Sequence, residues 1–262
     1  MDQRVDFFII GVQKGGTTAL AAHLGQHPQI AMSRVKEVHH FDDETHVDWS
    51  APDHARLHAQ FDWTTPHLKR GEATPITIFW PPALPRLHAY NPAAQLIVCL
   101  RHPVHRAYSQ WRMEHGRKLE TLSFAEAISD AGRARARATG MGVHRVFSYL
   151  ERGFYAPQIE RLLTMFPRSE IHFLRTDHMW LHLSGTLQAI ETFLGLDAHL
   201  AGSVQQRYIV PVPPAPAPPL PAELATRLLD LYTDDIRKTG QLTGLSLADW
   251  FDLAYCEPMP TG

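Results

Sequence analysis

The 262-residue sequence has few of the features that mark several broad classes of protein. Its two cysteines, Cys99 and Cys256, are too few for a disulfide framework. No apolar run approaches the roughly 18 residues that a membrane-spanning helix needs. Neither sign of charge dominates, because 25 Lys and Arg residues face 27 Asp and Glu residues. The formal net charge of -2 therefore argues against a general nucleic-acid binder.

Motifs for metal binding and for secretion are also missing. The 17 histidines are mostly scattered, and neither H-E-x-x-H nor a paired C-x-x-C occurs, so we expect no bound metal. Residues 1–6 lead into an apolar strand at once, which leaves no room for a secretory signal. Because the cysteines also indicate a reducing compartment, we expect a cytoplasmic protein.

The sequence does contain an alternation of apolar strands and helical segments. The clearest strands are predicted at Val5–Gly11 and Ala94–Leu100, with shorter ones near Ile30, at Gly71–Pro75 and at Ile171–Leu174. Helices are predicted at 17–26, 103–114, 123–137, 155–166 and 183–194, and a proline-rich connector at 211–221 leads to a C-terminal helix that ends near 238. This alternation predicts an α/β fold with a P-loop-type parallel sheet flanked by helices on both faces. We expect a single domain covering 1–262.

A glycine-rich turn follows the first predicted strand. Lys14, Gly15, Gly16, Thr17 and Thr18 stand between that strand and the first helix. Glycines let backbone N–H groups approach an anion, and the N-terminus of the helix adds its partial positive charge. The segment therefore predicts a loop that binds a phosphate or sulfate through backbone N–H groups, hydroxyls and one ammonium.

The position of the lysine separates this loop from that of an ordinary nucleotide triphosphatase. The usual pattern is G-x-x-x-x-G-K-[ST]. Gly11 and Gly16 have the required spacing, but Thr17 stands where the lysine belongs, and Lys14 lies inside the loop. A small-molecule kinase is the main alternative. It should carry a lysine at the Thr17 position and a magnesium-binding carboxylate at a strand end, and neither is evident.

An arginine ends the second clear strand. Arg101 follows 94–100 directly, and open α/β sheets bind ligands at the carboxyl ends of their strands. Ser109 lies eight residues later, on the next predicted helix. A guanidinium fork and a hydroxyl suit a phosphate group, whereas Arg106 between them is equally well interpreted as a structural cation.

A dense cluster of ionisable residues occupies 36–43. It contains Glu37, His39 and Asp42, a set that can supply a general base and the groups that orient it. Such a cluster is also typical of a solvated loop. The apolar residues Val38 and Phe41 between the charges favour a loop that is held against the core.

In this order, the three segments resemble the sulfotransferases that use 3′-phosphoadenosine 5′-phosphosulfate as the sulfuryl donor. The pattern is most similar to the branch that contains the heparan sulfate N- and O-sulfotransferases and their bacterial relatives. The G-E-x-T-P segment at 71–75 and the R-G-F-Y segment at 152–155 add to the resemblance, which spans about 7–194.

The resemblance implies a role for each segment. The residues from Lys14 to Thr18 would bind the 5′-phosphosulfate, and Arg101 with Ser109 would bind the 3′-phosphate. Glu37 would be the catalytic base, and His39 and Asp42 would stand at nearby acceptor-binding positions.

Two departures from the family pattern are visible. Several relatives carry a lysine after the glutamate of the G-E-x-T-P segment, where this chain has Ala73. The late loop that closes over the donor, with paired cysteines in many glycan enzymes, has no clear match. Residues 202–208 occupy its place, and Arg207 would then contact a phosphate.

The implied reaction is in-line transfer of a sulfuryl group to a hydroxyl or amine of a glycan or small-molecule acceptor, leaving 3′,5′-adenosine bisphosphate. Lys14 would stabilise the charge on the departing phosphate, and Glu37 would take the acceptor proton. His39 as the base is the alternative, since imidazole titrates near neutrality. No metal is implied. The acceptor and the oligomeric state are not evident from the sequence, and a non-catalytic nucleotide-binding protein would not need Lys14 together with Glu37.

Overall fold

The structure is a computed structural model, and it describes residues 3–65, 69–200, 220–252 and 254–257. The chain groups into two compact units. The first unit comprises 1–100, 161–210 and 258–262, and the second comprises 101–160 and 211–257. The expectation of a single domain stays a prediction.

The described part of the chain contains five strands and ten α-helices. The strands are β1 (Phe7–Gly11), β2 (Ile30–Met32), β3 (Lys69–Ala73), β4 (Gln95–Leu100) and β5 (Ile171–Arg175). The helices are α1 (Thr17–Leu24), α2 (Ala55–His58), α3 (Ala83–Tyr90), α4 (Pro103–Gly116), α5 (Phe124–Ala127), α6 (Asp130–Arg137), α7 (Ala156–Leu163), α8 (Thr176–Leu181), α9 (Leu183–Leu194) and α10 (Ala222–Thr243).

The five strands form one parallel sheet in the first unit, in the order β2-β3-β1-β4-β5. Strand β1 lies at its centre, with Phe7 opposite Gly71 of β3 on one side and opposite Gln95 of β4 on the other. Because the strands are parallel, the segments that follow β1, β3 and β4 all leave the same edge of the sheet.

Helices cover both faces of this sheet. Successive residues of a strand point to opposite faces. Phe7 and Ile9 of β1 belong to a buried cluster with residues of α1 and α9, including Leu20 and Leu187. Phe8, between them, points to the other face and meets the Tyr90 ring of α3 edge-on, with centroids 6.3 Å apart. The predicted α/β class with helices on both faces is confirmed.

The second unit is built around α4 and α10. Tyr232 of α10 donates a hydrogen bond from its hydroxyl to the Leu150 carbonyl over 2.8 Å. A Cβ on Gly153 would lie 2.6 Å from that hydroxyl oxygen, so only glycine fits there. Asp235 accepts hydrogen bonds from the N–H groups of Tyr155 and Ala156, at 2.8 and 3.0 Å, at the start of α7. This packing explains the glycine of the R-G-F-Y segment.

The single helix predicted at 123–137 is wrong, because two helices occupy this stretch. The predicted capping box is present, with Ser123 and Glu126 bonded reciprocally at the start of α5. Ser129 then caps a second helix, because its hydroxyl accepts the Gly132 N–H at 3.2 Å. The chain therefore turns at 128–129 and begins α6.

Other predicted boundaries need smaller corrections. The first helix ends at Leu24 rather than at 26, and the strand predicted at 71–75 is β3 at 69–73. The strand predicted at 5–11 begins at Phe7, and the last helix reaches Thr243 rather than 238. Helices α3 and α8 were not predicted; they have only 8 and 6 residues, too short for a clear apolar period.

Two predictions fall on residues that the structure leaves out. Arg207 and residues 211–219 of the proline-rich connector lie outside the described residues. Pro221 is extended and stands at the N-cap of α10, in agreement with the predicted start of a C-terminal helix. Among the described residues, no helix has both the length and the apolar character needed to cross a membrane.

Candidate active site

The glycine-rich segment forms the expected turn between β1 and α1. The Val12 N–H bonds to the Cys99 carbonyl of β4 at 2.9 Å, and the Gly15 N–H bonds back to the Val12 carbonyl at 2.8 Å. Lys14 has φ 70° and Gly16 has φ 80°, both in the left-handed region. Within five residues the chain passes from the end of β1 at Gly11 to the start of α1 at Thr17.

The glycines are required by close approach and by backbone conformation. A Cβ on Gly15 would lie 2.5 Å from the Cys99 carbonyl oxygen. A Cβ on Gly16 would lie 2.9 Å from Met179 and 3.0 Å from Trp180, and its positive φ would be strained besides. We refer to residues 12–18 as the phosphate loop.

Backbone N–H groups without a partner in the helix lie at the end of the phosphate loop, in the first turn of α1. The first intrahelical bond of α1 runs from the Leu20 N–H to the Gly16 carbonyl, so the N–H groups of 17–19 precede the helical ladder. The first turn of α1 has no acidic residue to repel an anion. Half-buried Lys14 supplies a cation in the same loop. This arrangement suits a phosphate or sulfate group.

A threonine that the sequence did not indicate supports this loop. Thr176 Oγ1 lies 2.8 Å from the Gly15 carbonyl oxygen and 3.1 Å from that of Leu100. Its hydroxyl therefore links the phosphate loop to the end of β4. The only signal was position, since Thr176 directly follows the last buried strand, and α8 itself was not predicted.

The polar cluster at 36–42, which we call the base loop, leaves the same edge of the sheet as the phosphate loop. The Glu37 N–H bonds to the Ala73 carbonyl at the end of β3, over 3.1 Å. Strand β3 is the direct neighbour of β1, whose end opens the phosphate loop. Val38 and Phe41 are buried, which confirms that the loop is held against the core.

The ionisable side chains of the base loop form a connected set. Lys36 Nζ lies 2.5 Å from Glu37 Oε1, and His39 Nε2 lies 3.5 Å from Glu37 Oε2. The other ring nitrogen of His39, Nδ1, lies 2.8 Å from Asp42 Oδ2. The Asp42 side chain is buried, whereas those of Glu37 and His39 are 39% and 43% exposed. The three candidate residues are thus brought together, with Glu37 and His39 open to a ligand.

These contacts set the protonation states of the loop. Burial raises the pKa of Glu37, but the contacts with His39 and Lys36 outweigh it and bring the pKa to about 2. The hydrogen bonds to Asp42 and Glu37 raise the pKa of His39 to about 9, against the effect of burial. At neutral pH, Glu37 is therefore a carboxylate and His39 an imidazolium.

Arg101 belongs to the second unit and directly follows Leu100 of β4. Its guanidinium binds the Glu257 carboxylate through two nitrogens, with Nε 2.6 Å from Oε1 and Nη2 bonded to Oε2. Its carbonyl accepts a hydrogen bond from the Tyr155 hydroxyl at 2.7 Å. The Glu257 carboxylate thus occupies the fork of donors that the sequence assigned to a phosphate.

The remaining candidates of this unit lie on α4. Ser109 is half-buried on that helix. Arg106 is fully buried and donates to Gln110 Oε1 at 2.9 Å and to the Tyr149 carbonyl, so its structural interpretation is the better one. In the described residues, no group of three or more His, Cys, Asp and Glu side chains is arranged to hold a metal ion.

The fold and these sites define an α/β protein of the phosphate-loop class, with a charged cluster beside the loop. Residues 4–209 match the sulfotransferase domain family. The chain therefore belongs to the family of sulfotransferases that use 3′-phosphoadenosine 5′-phosphosulfate, as the sequence motifs predict, and it is a transferase. Family membership decides against the small-molecule kinase.

Individual relatives agree with this assignment. The chain is 29% identical over 258 residues to heparan sulfate glucosamine 3-O-sulfotransferase 6 of Homo sapiens, covering 90% of this chain and 71% of that protein. It is 27% identical to heparan sulfate glucosamine 3-O-sulfotransferase 3B1 of Mus musculus, covering 90% and 62% of the two chains. The crystal structure of a sulfotransferase from Alicyclobacillus acidocaldarius superposes with a TM-score of 0.77 at 25% identity, covering 95% of this chain and 100% of that one.

Proposed function

We propose that the protein transfers a sulfuryl group from 3′-phosphoadenosine 5′-phosphosulfate to a hydroxyl of a carbohydrate acceptor, with Glu37 as the proton acceptor. The observation that carries the proposal is the Glu37–His39–Asp42 chain of contacts on a loop that bonds to the end of β3, the strand beside β1. An amine or a non-carbohydrate small molecule is the alternative acceptor. A cytoplasmic location stays a prediction from the sequence.

The residues present fit the donor. Gly15 is packed so closely on β4 that a side chain would displace the loop, and the start of α1 offers backbone donors without an acidic neighbour. Lys14 to Thr18 would hold the 5′-phosphosulfate. Arg101, which already binds a carboxylate through two nitrogens, would hold the 3′-phosphate with Ser109. When bound, the donor supplies a sulfuryl group attached to a good leaving group, the phosphate.

Lys14 and the backbone donors at the start of α1 stabilise negative charge where the phosphate departs. Donors that are already oriented need no reorganisation as charge develops, and they act most strongly where water is excluded. Lys14 has a positive φ and is part of the turn that forms the loop. The ammonium group of Lys14 balances the charge of an anion that the neighbouring N–H groups hold.

Glu37 is better suited than His39 to accept the acceptor proton. At neutral pH His39 already carries a proton, because its pKa is raised to about 9 by Asp42 and Glu37. Glu37 is ionised, but a pKa of about 2 makes it a weak base. An acceptor that covers Glu37 and separates it from Lys36 increases its burial and removes a cation, and both changes raise its pKa toward the working pH.

The relatives support the proposed acceptor class. Two of them are named heparan sulfate glucosamine 3-O-sulfotransferases, which modify a carbohydrate hydroxyl. The alignment with the human protein includes the base loop, since it covers 90% of this chain. A glycan or a smaller sugar with a hydroxyl beside a glucosamine nitrogen is the first acceptor to test.

The first experiment is calorimetric titration with 3′,5′-adenosine bisphosphate without metal and, separately, with ATP and magnesium. We expect binding of the bisphosphate and little binding of ATP. Transfer of radiolabelled sulfuryl to heparan-derived oligosaccharides then tests the acceptor. We expect Glu37→Gln to lose about 100-fold or more in turnover with unchanged bisphosphate affinity, whereas Asp48→Asn, an exposed carboxylate outside the base loop, should not. Normal turnover of Glu37→Gln would remove Glu37 as the base.

A further inference from the structure

The base loop is attached to β3 through three successive backbone N–H groups. The Glu37 N–H bonds to the Ala73 carbonyl at 3.1 Å. The next N–H, of Val38, bonds to Glu72 Oε1 at 3.2 Å, and that of His39 bonds to Thr74 Oγ1 at 3.4 Å. Two of the three acceptors are therefore side-chain oxygens.

The two side-chain acceptors are themselves connected. The Thr74 hydroxyl donates to Glu72 Oε1 over 2.5 Å, so one carboxylate oxygen receives both this hydroxyl and the Val38 N–H. Glu72 and Thr74 are each 3% exposed. A buried carboxyl group is costly unless hydrogen bonds satisfy its oxygens. Here they hold the backbone of the base loop.

The base loop needs such an attachment because its backbone is unusual. Glu37 has φ 62° and His39 has φ 51°, so two residues with side chains adopt the left-handed conformation that favours glycine. Val38 between them is buried, which anchors the turn at its centre. Surrounding structure must maintain a backbone of this kind, and such backbones are frequent at functional sites.

Charge favours the same arrangement. Burial raises the pKa of Glu72 to about 7, although the hydrogen bonds from Thr74 and Val38 oppose the increase. The charged groups that act on it, His39 and Lys36, both belong to the base loop, and both lower that pKa. Glu72 is therefore coupled to the same cations that surround Glu37.

We propose that Glu72, acting with Thr74, is a positioning residue that holds Glu37 and His39 in their reactive orientation. This inference rests on the proposed role of Glu37 as the base. Because Glu72 is buried, it would act through the base loop rather than on the acceptor or the donor. Its carboxylate binds the loop backbone, and the loop backbone directs the two exposed side chains.

Titration of His39 by NMR tests the positioning without an acceptor. The His39 signal is assigned by its loss in His39→Gln, and its pKa is measured in wild type, Glu72→Gln, Glu72→Ala and Thr74→Val. Thr77→Val is the matched control, because it removes a buried hydroxyl three residues further on that lies outside this network. We expect the pKa of His39 to fall by about one unit or more in Glu72→Ala and Thr74→Val. It should fall less in Glu72→Gln, which keeps the acceptor oxygen, and not at all in Thr77→Val.

Turnover and donor binding provide the second readout. We expect Glu72→Ala to lower kcat by about 100-fold, the effect of a small displacement of a reacting group. The affinity for 3′,5′-adenosine bisphosphate should not change, since the phosphate loop is attached elsewhere. Glu72→Gln should recover most of the loss. A purely structural role predicts instead a lower melting temperature with a parallel loss of bisphosphate binding.

The outcomes separate this inference from the proposed function. If the folded Glu72→Ala variant keeps the pKa of His39 and kcat, or loses donor binding to the same extent as kcat, the positioning role is overturned. If Glu72→Ala does not fold, Thr74→Val decides by the same criteria. If wild type binds no bisphosphate, the proposed function fails, while the His39 titration still shows whether Glu72 holds the loop.

Discussion

The phosphate loop and the base loop lie at the same edge of the sheet, where the first follows β1 and the second follows β2 and bonds to β3, yet they are built in opposite ways. Both contain residues with positive φ: Lys14 and Gly16 in the first, Glu37 and His39 in the second. The phosphate loop relies on glycines and on backbone contacts with β4. The base loop has no glycine and is held by Glu72, the side chain that accepts the Val38 N–H.

The reason lies in which atoms each loop presents to a ligand. The phosphate loop presents backbone N–H groups, which must stay available for an anion, so close packing of small residues holds it in place. The base loop presents side chains, so its N–H groups at 37–39 can all bond to β3 and the turn after it. A loop whose backbone binds the ligand needs glycine for close packing. A loop whose side chains react needs hydrogen-bond acceptors for its backbone N–H groups.

The largest expected effect comes from removing the cation of the phosphate loop. We expect Lys14→Ala to lower turnover by about 100- to 1000-fold, the usual loss when an oriented charge-stabilising group is deleted. Lys118→Ala is the control, because Lys118 is exposed and also has a positive φ of 61°. Sulfuryl-transfer assays on both variants compare them. Equal activity of the two would mean that Lys14 contributes only its backbone conformation.

A methyl group at Gly15 tests whether the phosphate loop depends on close packing. In Gly15→Ala the added Cβ would meet the Cys99 carbonyl oxygen at 2.5 Å, so we expect the loop to shift and bisphosphate affinity to fall by about tenfold or more. The pKa of His39, in the base loop, should not change. In the control Gly185→Ala, the new Cβ has no atom within 4 Å beyond its chain neighbours and the backbone of its own helix. A simultaneous shift in the His39 pKa would contradict the separate attachment of the two loops.

Removing Asp42 tests the charge pattern of the base loop. We expect Asp42→Asn to lower the pKa of His39 from about 9 toward its ordinary value of 6.5, because Asp42 makes the largest contribution to the increase. A raised pKa stabilises the fold fully below pH 6.5, and this stabilisation is lost as pH rises through 9. The stability difference between wild type and the variant, measured by urea unfolding, should therefore shrink from pH 6.5 to 9. A constant difference would show that His39 and Asp42 are not coupled.

The smallest expected effect concerns Arg101, in the second unit, where a carboxylate already occupies the guanidinium. We expect Glu257→Gln to raise the affinity for 3′,5′-adenosine bisphosphate by about fivefold, since a partly exposed ion pair contributes up to about 1 kcal/mol. Affinity for adenosine 5′-phosphosulfate, which lacks a 3′-phosphate, should not change, and Arg101→Ala should weaken only the bisphosphate. If Glu257→Gln changed the affinities for both ligands equally, Glu257 would not compete with the 3′-phosphate for Arg101.

The parts that could be predicted from sequence are those with local causes. Three predicted features each depend on residues that are close together in sequence: the glycine-rich turn after β1, the buried run of β4 and the Ser123 capping box. The structure has all three at the predicted positions. The sequence does not predict the break between α5 and α6 at Ser129, because the helical pattern continues across it. The break is evident only from the Ser129 cap of α6 and from the close approach of Gly132 to the Ala127 carbonyl.

Other features depend on residues that are distant in sequence. The sequence does not indicate a function for Glu72, which becomes evident only from its hydrogen bonds with Val38 and Thr74. Thr176 contacts Gly15 across 161 positions, and Glu257 contacts Arg101 across 156. No periodicity or motif in one segment reports such contacts, because they arise only when the sheet and helices have assembled.

The sequence by itself determined the α/β class, the phosphate loop, the candidate base and membership of the sulfotransferase family, since each depends on residue types at short spacing. Only the tertiary structure decided that the pKa of Glu37 falls to about 2, that His39 is protonated at neutral pH and that Glu72 of β3 accepts a hydrogen bond from the loop backbone between these two residues. Burial and charge contacts set protonation, and both are properties of neighbours in space rather than along the chain.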